Sequence, residues 1–247
     1  MSAGGVYTSS PNVSNSGAMD GKLDTLDALA TLLLTRAAPV QFDVAASHAE
    51  HEAAYRLRFD TVVEEGWATA ADFSDGLERD AFDARAVHVL GRRDGRLIAV
   101  ARLVLPEHGR PLPTELEFEL TMQPIDRVVD IGRAIIMKDY RSAEHTLFGA
   151  LLARCWLEIR ARGYQNLCGA ASSRRLERYQ QFGLPLRILG RSRRYWGEDR
   201  HPVFLDGQEF ADFVQKRGFV GALAPNAATT PRTAAESPSP ADPAAAE

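Results

Sequence analysis

Two runs of β-forming residues with an Asp-Gly pair between them are the strongest constraint on how this chain can fold. The runs AVHVLGRR and RLIAVARLVL lie on either side of Asp94-Gly95. An Asp-Gly pair readily adopts the left-handed backbone conformation that a two-residue hairpin turn requires. The sequence therefore predicts an antiparallel hairpin over residues 86–105.

Helical and extended patterns alternate around this hairpin. In chain order they predict a strand over 40–44, a helix from the Ser47 cap towards Gly66, the hairpin, a Pro-rich crossing over 106–124, a strand at VVDIGRAIIM, a helix over 144–162 closed by Gly163, a strand at NLCGAA, a helix over 174–182, two final strands and a helix over 209–216. This order is typical of an α/β domain in which helices cover both faces of a mixed sheet.

The two ends of the chain differ in composition from its middle. Residues 1–22 begin with a Ser-, Gly- and Asn-rich stretch, and residues 222–247 are rich in Ala, Pro and Thr. Such compositions bury too little apolar surface to offset the entropy of ordering, so we expect both ends to be disordered. Residues 23–36 carry leucines at helical spacing and predict an amphipathic helix that packs on the domain or on a second protomer. A membrane-surface helix is disfavoured, because the polar face lacks a Lys/Arg cluster. Residues 40–220 form the predicted single domain.

Charge, cysteine content and hydropathy exclude several classes of protein. The net charge of -4 comes from interspersed acids and bases, without the basic stripe that binds nucleic acid. Cys155 and Cys168 lie in apolar contexts without ligands at metal spacing, which predicts reduced core residues and no metal site. The most apolar stretch, residues 28–34, is too short to span a bilayer. We expect a cytoplasmic protein without stable membrane insertion.

Acids and arginines gather near the predicted strand ends. The members are Asp80, Asp83, Arg102, Asp130 and Arg133. Ligand crevices of α/β sheets open at strand ends, so these residues can form an active site. They can also form a purely structural ion-pair network, and their spacing alone does not decide between the two interpretations.

The spacing of Asp130 and Arg133 makes a demand on the backbone. In a regular strand, residues three apart point to opposite faces, so both can reach one cleft only if the strand bulges. Gly132 lies between them. We therefore predict a bulge here, which would also free backbone N–H groups near residues 134–136.

These residues lie in segments that resemble the acyl synthases of the GNAT-like fold, namely acyl-homoserine-lactone (autoinducer) synthases and related N-acyl amino acid synthases. The segments span about residues 50–206 and are LRFDTVVEEGW (57–67), GLERDAFD (76–83), IAVARL (98–103), VDIGRAII (129–136) and GLPLRILGRSRRYWGEDRHPV (183–203). The resemblance implies a GNAT-like α/β fold with a mixed, mostly antiparallel twisted sheet. It also implies N-acyltransferase activity, which moves a fatty acyl group from a phosphopantetheine thioester to the amine of an amino acid or similar small acceptor.

The resemblance implies roles for individual residues. The family's motif positions fall on Arg58, Trp67, Asp80, Asp83, Arg102, Asp130 and Arg133. We interpret Asp130, alone or through a water held with Asp80 or Glu78, as the base that deprotonates the amine. Arg102 and Arg133 then hold the carboxylates in place. Arg58 and Trp67 are candidates for acceptor binding, although Trp67 fits a hydrophobic plug equally well.

Two further residues are candidates for substrate binding, each beside a simpler alternative. Arg141 is positioned to meet a donor phosphate, or it is a solvated loop arginine. Ser172 is positioned to bond an acyl or acceptor group, or it caps the next helix. We expect the acyl tail to lie in a pocket formed by the 106–124 crossing and the helix over 144–162.

The acyl donor is predicted from the loop after the strand VVDIGRAIIM. GNAT acetyltransferases bind the pyrophosphate of coenzyme A on a Gly-rich loop at a helix N-terminus, whereas residues 141–146 contain no glycine and carry an acid at Glu144. The expected donor is therefore acyl carrier protein rather than coenzyme A, with no tightly bound cofactor. Acidic carrier proteins dock on basic patches, and the sequence carries such a candidate patch, which also fits a solvated basic face: Arg187, Arg191, Arg193 and Arg194.

Departures from the family pattern concern the acceptor. Val62 and Asp130 stand where lactone synthases usually carry Phe and Glu, and the spacing from Arg58 to Trp67 is one residue shorter. These departures argue against S-adenosylmethionine as acceptor. An autoinducer synthase that uses S-adenosylmethionine, and a non-catalytic protein that binds an acyl chain or its carrier, are the alternative functions.

Overall fold

The computed structural model describes residues 16–181 and 184–222. The helices are α1 (Ser16–Arg36), α2 (His48–Glu64), α3 (Pro113–Phe118), α4 (Glu144–Ala161), α5 (Ser173–Gln181) and α6 (Gly207–Ala222). The strands are β1 (Gln41–Val44), β2 (Ala86–Arg93), β3 (Arg96–Val104), β4 (Val128–Ile136), β5 (Asn166–Ser172), β6 (Leu186–Ile188), β7 (Arg193–Tyr195) and β8 (Glu198–Asp206). None of the described helices is long and apolar enough to cross a membrane.

The strands form one mixed sheet of eight strands. Their order is β1-β2-β3-β4-β5-β8-β6, and β7 also pairs with β8. Every neighbouring pair is antiparallel except β4 and β5, which run parallel. The predicted mixed, mostly antiparallel sheet is therefore confirmed. The predicted hairpin forms at β2 and β3, where Asp94 and Gly95 both have positive φ, as a two-residue hairpin turn requires.

The parallel pair opens into a wedge. Pairing between β4 and β5 ends at Asp130 and Cys168, yet β4 continues to Ile136 and β5 continues to Ser172. The strands are still close at the first step beyond the pair, because a Cβ on Gly169 would lie 2.6 Å from the carbonyl oxygen of Ile131. Past that point the two strands form no ladder with each other, so a gap opens towards their carboxyl ends.

Helices cover both faces of the sheet. On the first face, α2 packs Ala54 and Leu57 against Leu90, Val100 and Ile135. On the second face, α1, α4 and α6 enclose the largest apolar core, which includes Leu26, Leu151, Ile159 and Val214. Both cysteines are free and buried, in agreement with the prediction that they are core residues.

Three details of the prediction need correction. Helix α1 begins at Ser16, so residues 16–22 are helical where we expected disorder. The crossing after β3 contains the short helix α3, because Pro113 fits the first helical position and Glu115 accepts the N–H of Leu112. The C-terminal part of the domain contains three strands, β6, β7 and β8, where two final strands were predicted. Helix α6 includes Ala222, the first residue of the predicted disordered tail, while residues 1–15 and 223–247 lie outside the described residues.

The two elements expected to line the acyl pocket do not lie on the same face of the sheet. Helix α4 packs on the second face of the sheet, whereas residues 106–128 line a surface cavity of about 220 Å³ next to Val128 and Leu112. The sheet therefore separates the two elements that we expected to form one pocket.

Helix α1 is held to the second face by its leucine stripe. Leu23, Leu26 and Leu29 are buried, and Asp27 accepts a hydrogen bond from the indole N–H of Trp156 at 2.7 Å. This helix therefore contributes to the main core, as predicted for an amphipathic helix that needs a surface.

We predict that Leu26→Ala lowers the free energy of unfolding by about 2–5 kcal/mol, because it removes a buried side chain and leaves a cavity. The matched change Leu116→Ala, at a leucine that is 61% exposed, should alter it by less than about 0.5 kcal/mol. Urea unfolding at pH 7 measures both. Equal effects of the two substitutions would show that α1 does not pack as described.

Candidate active site

Arg58 lies at the centre of a buried ion-pair network on the first face of the sheet. It is carried by α2, whose start is fixed by reciprocal bonds between Ser47 and Glu50. The Arg58 side chain is fully buried, and its Nε donates to Glu78 while its two terminal nitrogens donate to the carboxylate of Asp83 at 2.7 and 3.1 Å. All three guanidinium nitrogens thus donate to carboxylates, two of them in a fork on Asp83. Arg58 therefore has no open side for an acceptor carboxylate.

The three-residue spacing of Asp80 and Asp83 follows from a 3-10 turn over Ala81–Arg85. Asp80 caps this turn by accepting the N–H of Phe82, and Asp83 accepts the N–H of Asp80 at 2.7 Å. The same two carboxylate oxygens also accept hydrogen bonds from an arginine. Arg102 donates to Asp80 at 2.7 Å and to Asp83 at 3.3 Å.

Arg133 joins the network through a bulge in β4. Arg102 pairs with Gly132, but Val100 pairs with Ile135, so β4 contains one residue more than β3 between these positions. Arg133 has a positive φ of 52°. The predicted bulge is therefore confirmed, and it brings the Arg133 side chain to the same face as Arg102. There it donates to Glu78 at 3.3 Å and to Asp80 at 3.1 Å.

The network is balanced in charge. It contains three arginines and three carboxylates: Arg58, Arg102, Arg133, Glu78, Asp80 and Asp83. Burial acts to raise the pKa of Asp83, but its hydrogen bonds from His88 and Arg58, with the charges of Arg58 and Arg102, outweigh it and hold that pKa well below its usual range. Burial lowers the pKa of His88, more strongly than its bond to Asp83 raises it. His88 is therefore a neutral member of this cluster.

Asp130 lies apart from these pairs, at the apex of the wedge. It is 3% exposed, accepts the N–H of Thr114 in α3 at 2.8 Å, and lies 3.7 Å from the thiol of Cys168. Burial raises the pKa of the Asp130 carboxyl, although the bonds from Thr114 and the charge of Arg102 oppose the shift. The structure thus separates Asp130 from Asp80, Asp83 and the arginines, which the sequence had grouped with it.

The tip of the hairpin between β7 and β8 covers the network. The ring of Trp196 lies 3.8 Å from the guanidinium carbon of Arg133, and the Tyr195 hydroxyl accepts from the same group at 3.4 Å. Trp67 packs against Gly197, where a Cβ would lie 2.4 Å from the indole ring. The guanidinium of Arg200 lies 5.2 Å from the Trp67 ring. Trp67 therefore packs against the hairpin tip at Gly197, and its ring is also close to Arg200.

Arg141 and Ser172 lie at the open end of the wedge. Arg141 donates to the carbonyl of Ile136 at 3.2 Å and pairs with Glu65 at 2.5 Å. Ser172 ends β5, opposite Arg200 in β8, and is 9% exposed. Within the described part of the chain, the Ser172 hydroxyl has no hydrogen-bond partner.

Several residues of the site were missed in whole or in part by sequence reasoning. They are Glu78, His88, Tyr195, Trp196 and Arg200. The sequence indicates Glu78 only as a helper of Asp130, and it assigns no role to His88. A usable signal existed for Trp196, because Trp-Gly between two polar strands is compatible with a two-residue turn. For the others, only three-dimensional proximity reveals the role.

Comparison with known proteins agrees with this fold. Residues 57–149 match the model of the Acetyltransferase (GNAT) domain. The structure is similar to BjaI, a CoA-dependent acyl-homoserine lactone synthase, with 20% sequence identity, a TM-score of 0.56, and coverage of 72% of this chain and 89% of BjaI. It is also similar to the AHL synthase LasI, with 17% identity, a TM-score of 0.53, and coverage of 70% and 92%.

A third similar structure is FeeM, an N-acyl amino acid synthase from uncultured soil microbes. It is 11% identical, with a TM-score of 0.52 and coverage of 69% of this chain and 93% of FeeM. The curated proteins contain no match to this sequence. The fold is thus the GNAT-like fold of the acyl synthases, as the sequence resemblance predicted. The domain match and the fold support an N-acyltransferase.

The buried network should make the fold sensitive to loss of Arg58. We predict that Arg58→Leu lowers the free energy of unfolding by about 3–5 kcal/mol at pH 7, because it leaves buried carboxylates without their partner. In the folded protein the pKa of Asp83 is lowered, so its contribution is complete above the unfolded value of about 3.9 and is lost as the pH falls below it. The difference between wild type and variant should therefore shrink below about pH 4.

The control is Arg79→Leu, which removes an exposed arginine paired with Asp75. Its effect should stay below about 1 kcal/mol. Urea unfolding at several pH values checks both variants, and a loss for Arg58→Leu no larger than that of the control would contradict the proposed dependence on the network.

Proposed function

We propose that this protein is an N-acyltransferase that moves a fatty acyl group from an acyl carrier protein thioester to the amine of an amino acid or a similar small acceptor. The observation that carries the proposal is the wedge between β4 and β5, with a buried carboxylate of raised pKa at its apex. The domain match and the fold shared with acyl synthases support the same conclusion.

The wedge provides the backbone groups that acyl transfer needs. Residues 131–134 of β4 are half-exposed, and beyond the Asp130 pair they have no ladder partner in β5. Free backbone N–H groups along such an edge can bond an extended pantetheine arm, and one of them can donate to the oxyanion that develops on the thioester carbonyl.

Asp130 is proposed as the base. One of its oxygens accepts the Thr114 N–H, and the other faces Gly132, where an added Cβ would lie 3.9 Å away. The amine nitrogen attacks the thioester carbon and the C–S bond breaks. The proton leaves the amine for Asp130, directly or through a water, and is passed to the departing thiolate. A raised carboxyl pKa suits this transfer, because it brings the proton affinity of the Asp130 carboxylate closer to that of the amine and of the departing thiolate.

The ion-pair network is proposed to hold the site in shape. Asp80, Asp83 and Arg102 fix the turn over residues 81–85, and Arg133 joins that turn to the bulge of β4. The acceptor then lies on the first face, between the bulge and the hairpin tip. Since Arg58 is fully buried against carboxylates, we assign recognition of an acceptor carboxylate to Arg200, which lies beside Trp67 and opposite Ser172. Its Nε and one terminal nitrogen bond the carbonyls of Tyr195 and Trp196 and the carboxylate of Glu198, so the other terminal nitrogen would meet the acceptor.

The basic patch supports docking of a carrier protein, but with fewer free arginines than the sequence indicated. Arg193 is engaged, because it bonds the carbonyl of Glu117 and the carboxylate of Glu119. Arg187 lies over Phe204 and within 4.0 Å of Asp206. Arg191 and Arg194 are exposed and form no ion pair with any described residue. These two are the best candidates to meet an acidic carrier.

We predict that Asp130→Asn lowers kcat/KM for acyl transfer by about 10²- to 10⁴-fold, as expected when a general base is lost. Asparagine keeps an oxygen that can accept the Thr114 N–H, so the fold should be preserved. Asp126→Asn is the control, since Asp126 is a surface residue paired with His108. The assay follows thiol release from acyl carrier protein with a panel of amino acids.

Mass spectrometry of extracts from cells that overproduce the protein identifies the product. A new N-acyl amine that is absent with Asp130→Asn supports the proposal. Release of methylthioadenosine together with an acyl lactone would instead identify a lactone synthase. Absence of any acylated product, in cells and in the thiol assay, would favour a non-catalytic acyl- or carrier-binding protein.

We predict that Arg191→Glu with Arg194→Glu raises KM for acyl carrier protein about tenfold or more at low salt, while acyl-pantetheine is used as before, because only the carrier meets the patch. The control is Arg96→Glu in β3, which is separated from β8 by β4 and β5. Equal kinetics for wild type and the double variant with the carrier would show that docking occurs elsewhere.

A further inference from the structure

The mouth of the wedge lies where β4 and β5 end and two helices begin. The chain leaves β4 through a 3-10 segment, Lys138–Ala143, that leads into α4, and it leaves β5 directly into α5. Exposed N–H groups and the helix dipole make helix N-termini favourable for phosphate. A donor whose acyl arm lies in the wedge therefore carries its phosphate groups at this mouth.

Two cations at the mouth are neutralised by the end of α2. Lys138 Nζ lies 3.0 Å from a carboxylate oxygen of Glu64, and a terminal nitrogen of Arg141 lies 2.5 Å from one of Glu65. The bond from Arg141 to the carbonyl of Ile136 fixes the guanidinium in this orientation. Both cations are thus held towards α2 by the protein's own acids.

The adjoining cleft is acidic as well. It has a volume of about 160 Å³ and lies between α2 and the segment after β4. Its charged lining consists of Asp60, Glu64, Asp139 and Lys138. With three carboxylates against one ammonium group, this surface repels additional phosphates close to the mouth.

We propose that Glu64 and Glu65 are specificity-determining residues that select against coenzyme A thioesters. They hold Lys138 and Arg141 and add negative charge where the extra phosphates of coenzyme A would lie. A carrier-bound arm has one phosphodiester, whereas coenzyme A has a pyrophosphate and a 3′-phosphate, so the repulsion falls mainly on coenzyme A. This inference rests on the proposed function, because it specifies the donor of the same site.

The test compares wild type with Glu64→Gln/Glu65→Gln on three donors with one acyl group: acyl-pantetheine, acyl-phosphopantetheine and acyl-coenzyme A. We expect kcat/KM for acyl-coenzyme A to rise about three- to tenfold, the range set by one or two exposed charge interactions. Acyl-pantetheine should not change, and acyl-phosphopantetheine should change little. The gain should diminish as salt is raised, because exposed charges are screened.

Binding of free coenzyme A by calorimetry provides a readout that does not depend on turnover. The double variant should bind it about three- to tenfold more tightly than wild type. Glu52→Gln is the matched control, since Glu52 is an exposed acid on the same helix, paired with His48 at its other end. It should leave every value unchanged. Adding Arg141→Gln should remove part of the gain.

The inference is overturned if the double variant and wild type bind coenzyme A equally, or if all three donors gain to the same extent. It is also overturned if Glu52→Gln gives the same gain. Failure of the proposed function has a different signature, because wild type would then turn over none of the donors while the binding comparison would still test the role of the two acids.

Discussion

Burial of three guanidinium groups against three carboxylates on one face of the sheet is the constraint on which the rest of the structure depends. Charged groups are stable in a protein interior only when every one is paired and hydrogen-bonded. Arg58 therefore fixes α2 against the segment that carries Glu78 and Asp83. Arg102 and Arg133 extend the same requirement to the central strands.

The candidate site has two parts with different environments, namely the ion-pair network and Asp130 at the apex of the wedge. Each charged group of the network is paired within the protein, which suits rigidity, although in the described part of the chain the buried Arg102 Nε and His88 Nδ1 have no hydrogen-bond partner. Asp130 accepts from the backbone N–H of Thr114 and from the thiol of Cys168, burial raises its pKa, and it lies where the two parallel strands separate. We therefore propose that the chemistry takes place at the wedge and that the network keeps the bulge, the turn over residues 81–85 and the hairpin tip in register.

The fold could be predicted to a large extent, because local signals agreed with the tertiary context. The Asp94-Gly95 turn, the Ser47 cap and the leucine stripe of α1 each have a physical cause within a few residues of sequence. The bulge was predicted from spacing alone, since Asp130 and Arg133 cannot share a face in a regular strand. Helix α3 and the third C-terminal strand were missed because short elements carry too few residues for a periodic pattern.

What the sequence determined by itself was the order of the elements, their amphipathic faces, and the set of charged residues that had to find partners, because these follow from periodicity, turn chemistry and the cost of burying charge. The tertiary structure decided which charged residues pair with each other. It placed Arg58 beyond the reach of an acceptor, separated Asp130 from the other acids, and set Glu64 and Glu65 against the cations of the wedge mouth. Those contacts join residues far apart in the chain, and only the packing of the sheet against α2 and the hairpin tip brings them within hydrogen-bond distance.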